Sequence, residues 1–391
     1  MSLKRYSLVL LILLMTMLAM AGIANRIIDP FWYFRDVEVQ GFNLDKPRFP
    51  RNERLVKSAL VKKIQPQAFI LGNSYAEVGF PATHPGFTEG GKLRPYNLAL
   101  SGAPWPEVYC YTLYALAQPG VRRIVLPVSE ATAHGCLAYP NLGDPDYARL
   151  LFSKNALSAS METLRKQDGK PRVSREGMWY FKRYEERIRN DADITRNFAE
   201  EMRARFCKQP QAEDSLDASK LDRKSVADDA ATAGLRNIVR NTLAKNVRLV
   251  LVHYPKHVLH YELERRCGRS EERWNELRKL AAVVEQEAKG SPLVELWDFH
   301  TYRDVSAERV HAGKAMAERL WQDSGHFNHE VGAITFDSIF SGGTAYGRKV
   351  VLRDFERLIE ETERERRDFL GRNPWMQQEL YELARLAGLA W

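Results

Sequence analysis

The sequence predicts an α/β protein: a parallel sheet covered by helices, with a helical insertion and an N-terminal transmembrane helix. Three observations point there. Short apolar runs recur at 67–71, 96–100, 123–128, 248–253 and 293–297. Stretches of helical patterning separate them, and strands alternating with helices pack as a parallel sheet between helical layers. An uncharged, largely apolar segment also lies behind two basic residues at the start of the chain. The hydrophobic fraction of 45% and charged fraction of 28% are ordinary for a folded chain, which excludes wholesale disorder.

The elements are justified in chain order. Lys4 and Arg5 precede the uncharged stretch 6–25. A helix needs roughly 17–25 apolar residues to cross a bilayer, so residues 1–25 read as a signal anchor. A cleaved signal peptide, cut near Ala19-Met20-Ala21, is the competing reading. The aromatic cluster Phe31, Trp32, Tyr33 and Phe34 favours the anchor, because such rings settle at a membrane interface. Either way the body after Arg26 is exported. The expected place is the inner (cytoplasmic) membrane, single-pass, with the body on the periplasmic side.

Residues 26–64 read as a juxtamembrane arm, with a short amphipathic helix at 51–63. The first strand, 67–71, closes in Gly72-Asn73-Ser74, and the second, 96–100, closes in Ser101-Gly102. A helix at 106–116 leads through the turn Pro119-Gly120 to the third strand. Helices at 230–245 and 271–289 flank the fourth strand. Residues 65–348 thus form one α/β domain. The segment 137–229 interrupts it as a helical insertion, with Met178, Trp179, Tyr180 and Phe181 as an aromatic island in a helix and 213–229 as a loop. The tail 349–391 is amphipathic and helical. It is expected to pack on the body or to recruit a membrane acyl-donor protein.

The net charge of +8 favours anionic partners, but the basic residues are thinly spread and no nucleic-acid-binding motif is present. Cys110, Cys136, Cys207 and Cys267 permit two disulfides in an exported protein, with Cys110–Cys136 the first choice; free buried thiols are an equal alternative. No Cys/His spacing suggests zinc, and no metal or other cofactor is expected.

Three short pieces carry chemistry. Ser74, on a turn between a buried strand and a helix, holds a hydroxyl at the mouth of the sheet, where N–H groups can receive developing negative charge. Asn97 to Gly102 form the second piece: the glycine permits close backbone approach and offers an N–H donor. Third, Asp323 and His326 stand three residues apart. There the carboxylate can accept from Nδ1–H and leave Nε2 free for a serine proton. Glu77 reads as a capping or supporting group. His253 reads as a core histidine rather than a substrate contact. Trp105, Trp179 and Tyr180 read as core packing rather than sugar platforms. His257, His260 and His329 are too scattered for a metal.

Serine early, glycine after the next strand, and D-x-x-H late: this order resembles the SGNH (GDSL-like) hydrolase superfamily, in its membrane-anchored branch associated with cell-envelope and exopolysaccharide acylation. The likeness is carried by residues 29–80 and 323–340, loosely by the middle, and hardly at all by 137–229. It implies a flavodoxin-like three-layer fold, with Ser74 as nucleophile, His326 as general base and acid, and Asp323 as its orienting partner. The N–H groups of Ser74 and Gly102 would form the oxyanion hole, with Asn97 on the substrate side. The superfamily's third block, an asparagine after the third strand, is missing: this chain reads Pro127-Val128-Ser129-Glu130. Asn73 is the candidate replacement. The implied activity is an O-acyl, chiefly acetyl, esterase or acyltransferase on an extracytoplasmic glycan or an acylated small molecule. A catalytically inactive glycan-binding or assembly factor on the same scaffold is the alternative.

Overall fold

The computed structural model describes residues 3–128, 136, 142–167, 171–180, 188–205, 229–342 and 346–389. The first elements are α1 (Leu3–Ile28), α2 (Glu53–Ile64), β1 (Ala68–Ile70), α3 (Ser74–Gly79), α4 (Pro85–Thr88), β2 (Pro95–Asn97), α5 (Trp105–Leu116) and β3 (Arg123–Pro127). Then come α6 (Tyr147–Phe152), α7 (Lys154–Arg165), α8 (Asp191–Arg205), α9 (Asp229–Ala244), β4 (Arg248–His253), α10 (Val258–Arg266) and α11 (Ser270–Ala288). The last are β5 (Val294–Asp298), α12 (His329–Phe340), β6 (Arg348–Lys349), α13 (Phe355–Arg372) and α14 (Trp375–Leu386).

The chain forms two compact units, residues 1–65 with 138–175 and residues 66–137 with 176–391. This division differs from the expected one. The insertion is not one body: its part up to 175 joins the membrane helix and arm, and its later part joins the sheet. The tail, 349–391, falls within the second unit.

In the first unit, α1 is long and apolar enough to cross a membrane. Its side chains are exposed as far as Met20; beyond that, Gly22, Asn25 and Ile28 are buried. The carbonyls at its end are not left orphaned. The Asn43 amide donates to Ile27 O (2.9 Å) and to Ile28 O, and Lys46 Nζ donates to Ile28 O at 2.8 Å. The Asp29 carboxylate then accepts from the N–H groups of Tyr33 and Arg35, both at 2.8 Å. Asp29, Trp32 and Arg35 take positive φ to make this turn. Phe31, Trp32, Tyr33 and Phe34 are folded inward by it and are at most 7% exposed. The expectation that these rings sit at a membrane interface is therefore corrected: they are the core of their unit.

In the second unit the sheet order is β2-β1-β3-β4-β5-β6. All pairs are parallel except β5 with β6, which is antiparallel. The five expected strands are present; β6 was not foreseen. Strands β1 and β3 are buried along their whole length, so they read as unbroken apolar runs. After β1 the chain steps outward to β2 and then returns to the other side of β1 at β3. That reversal is a switch point, where ligands bind in such sheets. Helices α5, α9 and α11 pack in succession as one layer, and α12 packs with α3 and α4.

The tail belongs to this unit. Phe355, Ile359, Phe369, Met376, Leu380 and Leu383 are buried. Arg366 pairs with both oxygens of Glu262 on α10, at 2.7 and 2.8 Å, and Tyr302 donates to the same carboxylate at 2.7 Å. The Cys110–Cys136 disulfide is formed, with Cα atoms 4.9 Å apart. Met178 to Tyr180 are not helical as expected. Trp179 is buried, and its N–H donates to Glu77 O at 3.0 Å; Phe181, Cys207 and residues 213–228 lie outside the described residues.

Candidate active site

The site begins where β1 ends. Gly72 has φ +124, and a Cβ there would lie 2.6 Å from the Tyr254 hydroxyl, so the bend needs glycine on both counts. Asn73 caps α3: its Oδ1 accepts from Tyr75 N at 3.2 Å. The same oxygen accepts from Tyr254 Oη at 2.9 Å. These two donors fix the flip of the amide and leave Nδ2 as the group with donors to give. Ser74, half-buried, opens the helix. Leu100 N donates to Gly72 O at 3.1 Å, which brings the turn at Gly102 alongside. Glu77, fully buried, holds that turn by accepting from Ser101 Oγ at 2.8 Å.

The other half of the site comes from the loop before α12. Asp323 folds the loop around its own carboxylate: Oδ1 accepts from the N–H groups of Gly325 (2.8 Å) and His326 (2.6 Å). Gln322 N donates to His326 O at 3.0 Å, and Trp321 bridges Phe327, closing a small hairpin. Gly325 is required there, because a Cβ would fall 2.7 Å from the Tyr75 hydroxyl. Asn328 caps α12 just behind. His326 Nδ1 meets Asp323 Oδ2 at 2.7 Å, and its Nε2 meets Ser74 Oγ at 2.9 Å.

No family model matches this chain, and no curated protein or solved structure does. The reading of the site therefore rests on its geometry.

Burial alone would push the Asp323 carboxyl up. Its attraction to the His326 ring and the hydrogen bonds from His326 and Gly325 outweigh it and hold the carboxyl below its ordinary value. An ionised Asp323 with four N–H donors around it, the fourth being Gln322 Nε2 at 3.4 Å, fixes the imidazole with its proton on Nδ1 and its lone pair toward Ser74. Among the described residues, the backbone N–H groups of Ser74 and Gly102 have no hydrogen-bond partner. Gly102 takes φ +63 on an open turn. Serine, imidazole and carboxylate are thus assembled from segments far apart in the chain, Ser74 and His326 being 252 residues apart.

Asn97 is a correction. It is fully buried, and its amide nitrogen donates to Ala76 O (2.9 Å), Glu77 O and Phe80 O, while its Oδ1 accepts from Ala99 N. It braces the end of α3, and both atoms of its amide are engaged by backbone groups. His253 pairs with Asp298 Oδ1 at 2.6 Å across the β4–β5 register. His257 donates from Nε2 to Glu308 O and caps α10 through Nδ1. Among the described residues no group of three or more His, Cys, Asp or Glu is placed to hold a metal.

Four residues not foreseen from sequence complete the surroundings. Tyr254 fixes Asn73. Tyr75 lies edge-on to the His326 ring, centroids 4.4 Å apart, and its hydroxyl donates to Glu201 at 3.0 Å. Lys256 Nζ sits 4.3 Å from the Tyr75 ring centroid. The one available signal was position: Tyr254 and Lys256 directly follow a strand whose end faces the site.

Proposed function

We propose that this chain is a serine-dependent O-acyl, chiefly acetyl, esterase or acyltransferase acting outside the cytoplasm on a cell-envelope or exopolysaccharide glycan. One observation carries the reading: the unbroken hydrogen-bond chain Ser74 Oγ, His326 Nε2, His326 Nδ1, Asp323 Oδ2. In this scheme Ser74 Oγ attacks the ester carbonyl and its proton passes to His326 Nε2. Asp323 stabilises the resulting imidazolium. The tetrahedral oxyanion takes hydrogen bonds from Ser74 N and Gly102 N. Collapse breaks the bond to the leaving oxygen, which receives the proton from His326. Water or a sugar hydroxyl then removes the acyl group from Ser74, again with His326 as base. For transfer, the acyl group would come from an acylated small molecule or a membrane acyl-donor protein.

The location is supported by α1, by Lys4 and Arg5 at its start, which favour a cytoplasmic N-terminus, and by the Cys110–Cys136 disulfide, which suits an oxidising compartment. The glycan class rests on the resemblance alone. A fluorophosphonate probe tests the chemistry. Covalent labelling at Ser74, lost in Ser74→Ala and His326→Ala, together with turnover of a small acetyl ester, is the expected result. The missing asparagine after β3 favours a second reading, a glycan-binding factor on an inactive scaffold. Absence of both labelling and turnover in the folded full chain would leave that one standing.

A further inference from the structure

Helix α7 has its faces reversed. Its small side chains Ala156, Ala159, Ser160 and Thr163 are buried, while the large apolar Leu157, Met161 and Leu164 are 52, 47 and 44% exposed. The spacing i, i+4, i+7 puts these three on one stripe. Phe152, at the end of α6, is 53% exposed as well. A helix facing water hides its large apolar side chains; this one turns them outward.

What covers the stripe follows from where the two helices are fastened. Asn25 of α1, fully buried, donates from Nδ2 to Leu151 O and accepts at Oδ1 from Ser160 Oγ, both at 2.7 Å. The Phe152 ring lies against Gly22, where a Cβ would come within 2.5 Å of it. The pair α6 and α7 is thus seated on α1 at residues 22–25. Counting about 20 residues of helix from Tyr6 to cross a core about 30 Å thick puts the outer edge of the hydrocarbon at that same level. Charge agrees. Arg48, Lys154, Arg165 and Lys166 rim a groove of about 470 Å³ whose lining includes Leu157 and Met161. The acidic residue there, Glu162, is paired by Arg48 and by Lys166 (3.0 Å).

We infer that α6 and α7 form a second, interfacial anchor. The stripe Phe152, Leu157, Met161 and Leu164 dips into the acyl boundary of the bilayer that α1 crosses. Lys154, Arg165 and Lys166 meet the phosphates of anionic lipids. The inference rests on α1 being retained as a membrane span. It gives α6 and α7 the interfacial role that the buried cluster at 31–34 does not play.

Spin labels at Leu157→Cys, Met161→Cys and Leu13→Cys, one per full-length chain, test it in vesicles of phosphatidylcholine with or without phosphatidylglycerol. Oxygen concentrates in the bilayer, and a water-soluble nickel chelate is excluded from it. The expected result is an oxygen-to-nickel collision ratio at 157 and 161 several-fold above that of free label in buffer and below that at 13. It should rise with phosphatidylglycerol, and Lys154→Ser/Arg165→Ser/Lys166→Ser should erase that rise. Labels at 157 and 161 that collide freely with nickel while 13 reads as lipid would overturn the inference and leave the span intact. Labels shielded from both reagents would overturn it too, by placing protein, such as a second copy, on the stripe. A label at 13 that reads as aqueous would instead remove the span, and this inference with it. Lack of a lipid-charge dependence would overturn the assignment of the three basic residues.

Discussion

Two histidine–aspartate pairs lie in the α/β unit with nearly the same geometry. His326 meets Asp323 at 2.7 Å and His253 meets Asp298 at 2.6 Å, and both carboxylates are buried. They differ in everything around that contact. Asp323 arises in a tight loop that fills its second oxygen with two backbone N–H groups. Asp298 faces His253 through strand register, and its Oδ2 is buried with no partner among the described residues. Nε2 of His326 rests on a serine hydroxyl at a helix start. Nε2 of His253 has no hydroxyl within hydrogen-bond distance among the described residues. An imidazole–carboxylate pair is therefore a cheap feature of an α/β sheet; the backbone that aims it at a nucleophile is the rare one.

The sharpest way to break the comparison is to truncate each imidazole. His326→Ala should lower kcat on a small acetyl ester by about 10⁴-fold or more, and Ser74→Ala should match it. His253→Ala should leave kcat within a few-fold; an equal loss in both histidine variants would erase the distinction. Next come the carboxylates. Asp323→Asn should cost about 10³–10⁴-fold in kcat through the wrong imidazole tautomer. Asp298→Asn should lower the urea midpoint while turnover persists. A smaller effect comes from geometry alone. Gly325→Ala would drive a methyl into the Tyr75 hydroxyl and displace His326. A shift of about 1 Å can cost about 100-fold, so kcat should fall with KM little changed.

The smallest effect is on stability against pH. Burial holds the His257 imidazole down at about 4 and that of His300 well below its ordinary value. In the unfolded chain both take up a proton near pH 6.5. Their contribution is complete above about pH 6.5 and is lost as pH falls toward about 4 for His257, and further for His300. Asp323 and Asp298, both held below the ordinary carboxylate value, lose theirs only below about pH 4. The melting temperature should therefore fall in two stages on acidification, and His257→Asn, which keeps a cap for α10, should flatten the first.

Much of the sheet was legible because its central strands are buried on both faces and so appear as unbroken apolar runs. Strand β6 was not: Arg348 and Lys349 carry no pattern, and only the docking of the tail lays them beside Asp298 and Trp297. Ser74, Asp323 and His326 were legible because each sits in a short local motif. Tyr254 was not, since its reach to Asn73 depends on β1, β3 and β4 lying side by side. Asn97 misled because it shares a motif with Gly102; its amide is spent on carbonyls that become neighbours only when α3 ends where it does. The rings at 31–34 misled for a related reason: the Asp29 carboxylate folds them inward, and composition cannot express a turn.

The way Gly22 and Asn25 are clasped has a mechanical outcome. A span joined to its payload by a floppy tether lets that payload roam a hemisphere. Here the helix runs unbroken through residue 28 into packed protein, so it behaves as a stiff post. With α1 in the bilayer as proposed, the first unit is held at one height and one tilt against the lipid surface.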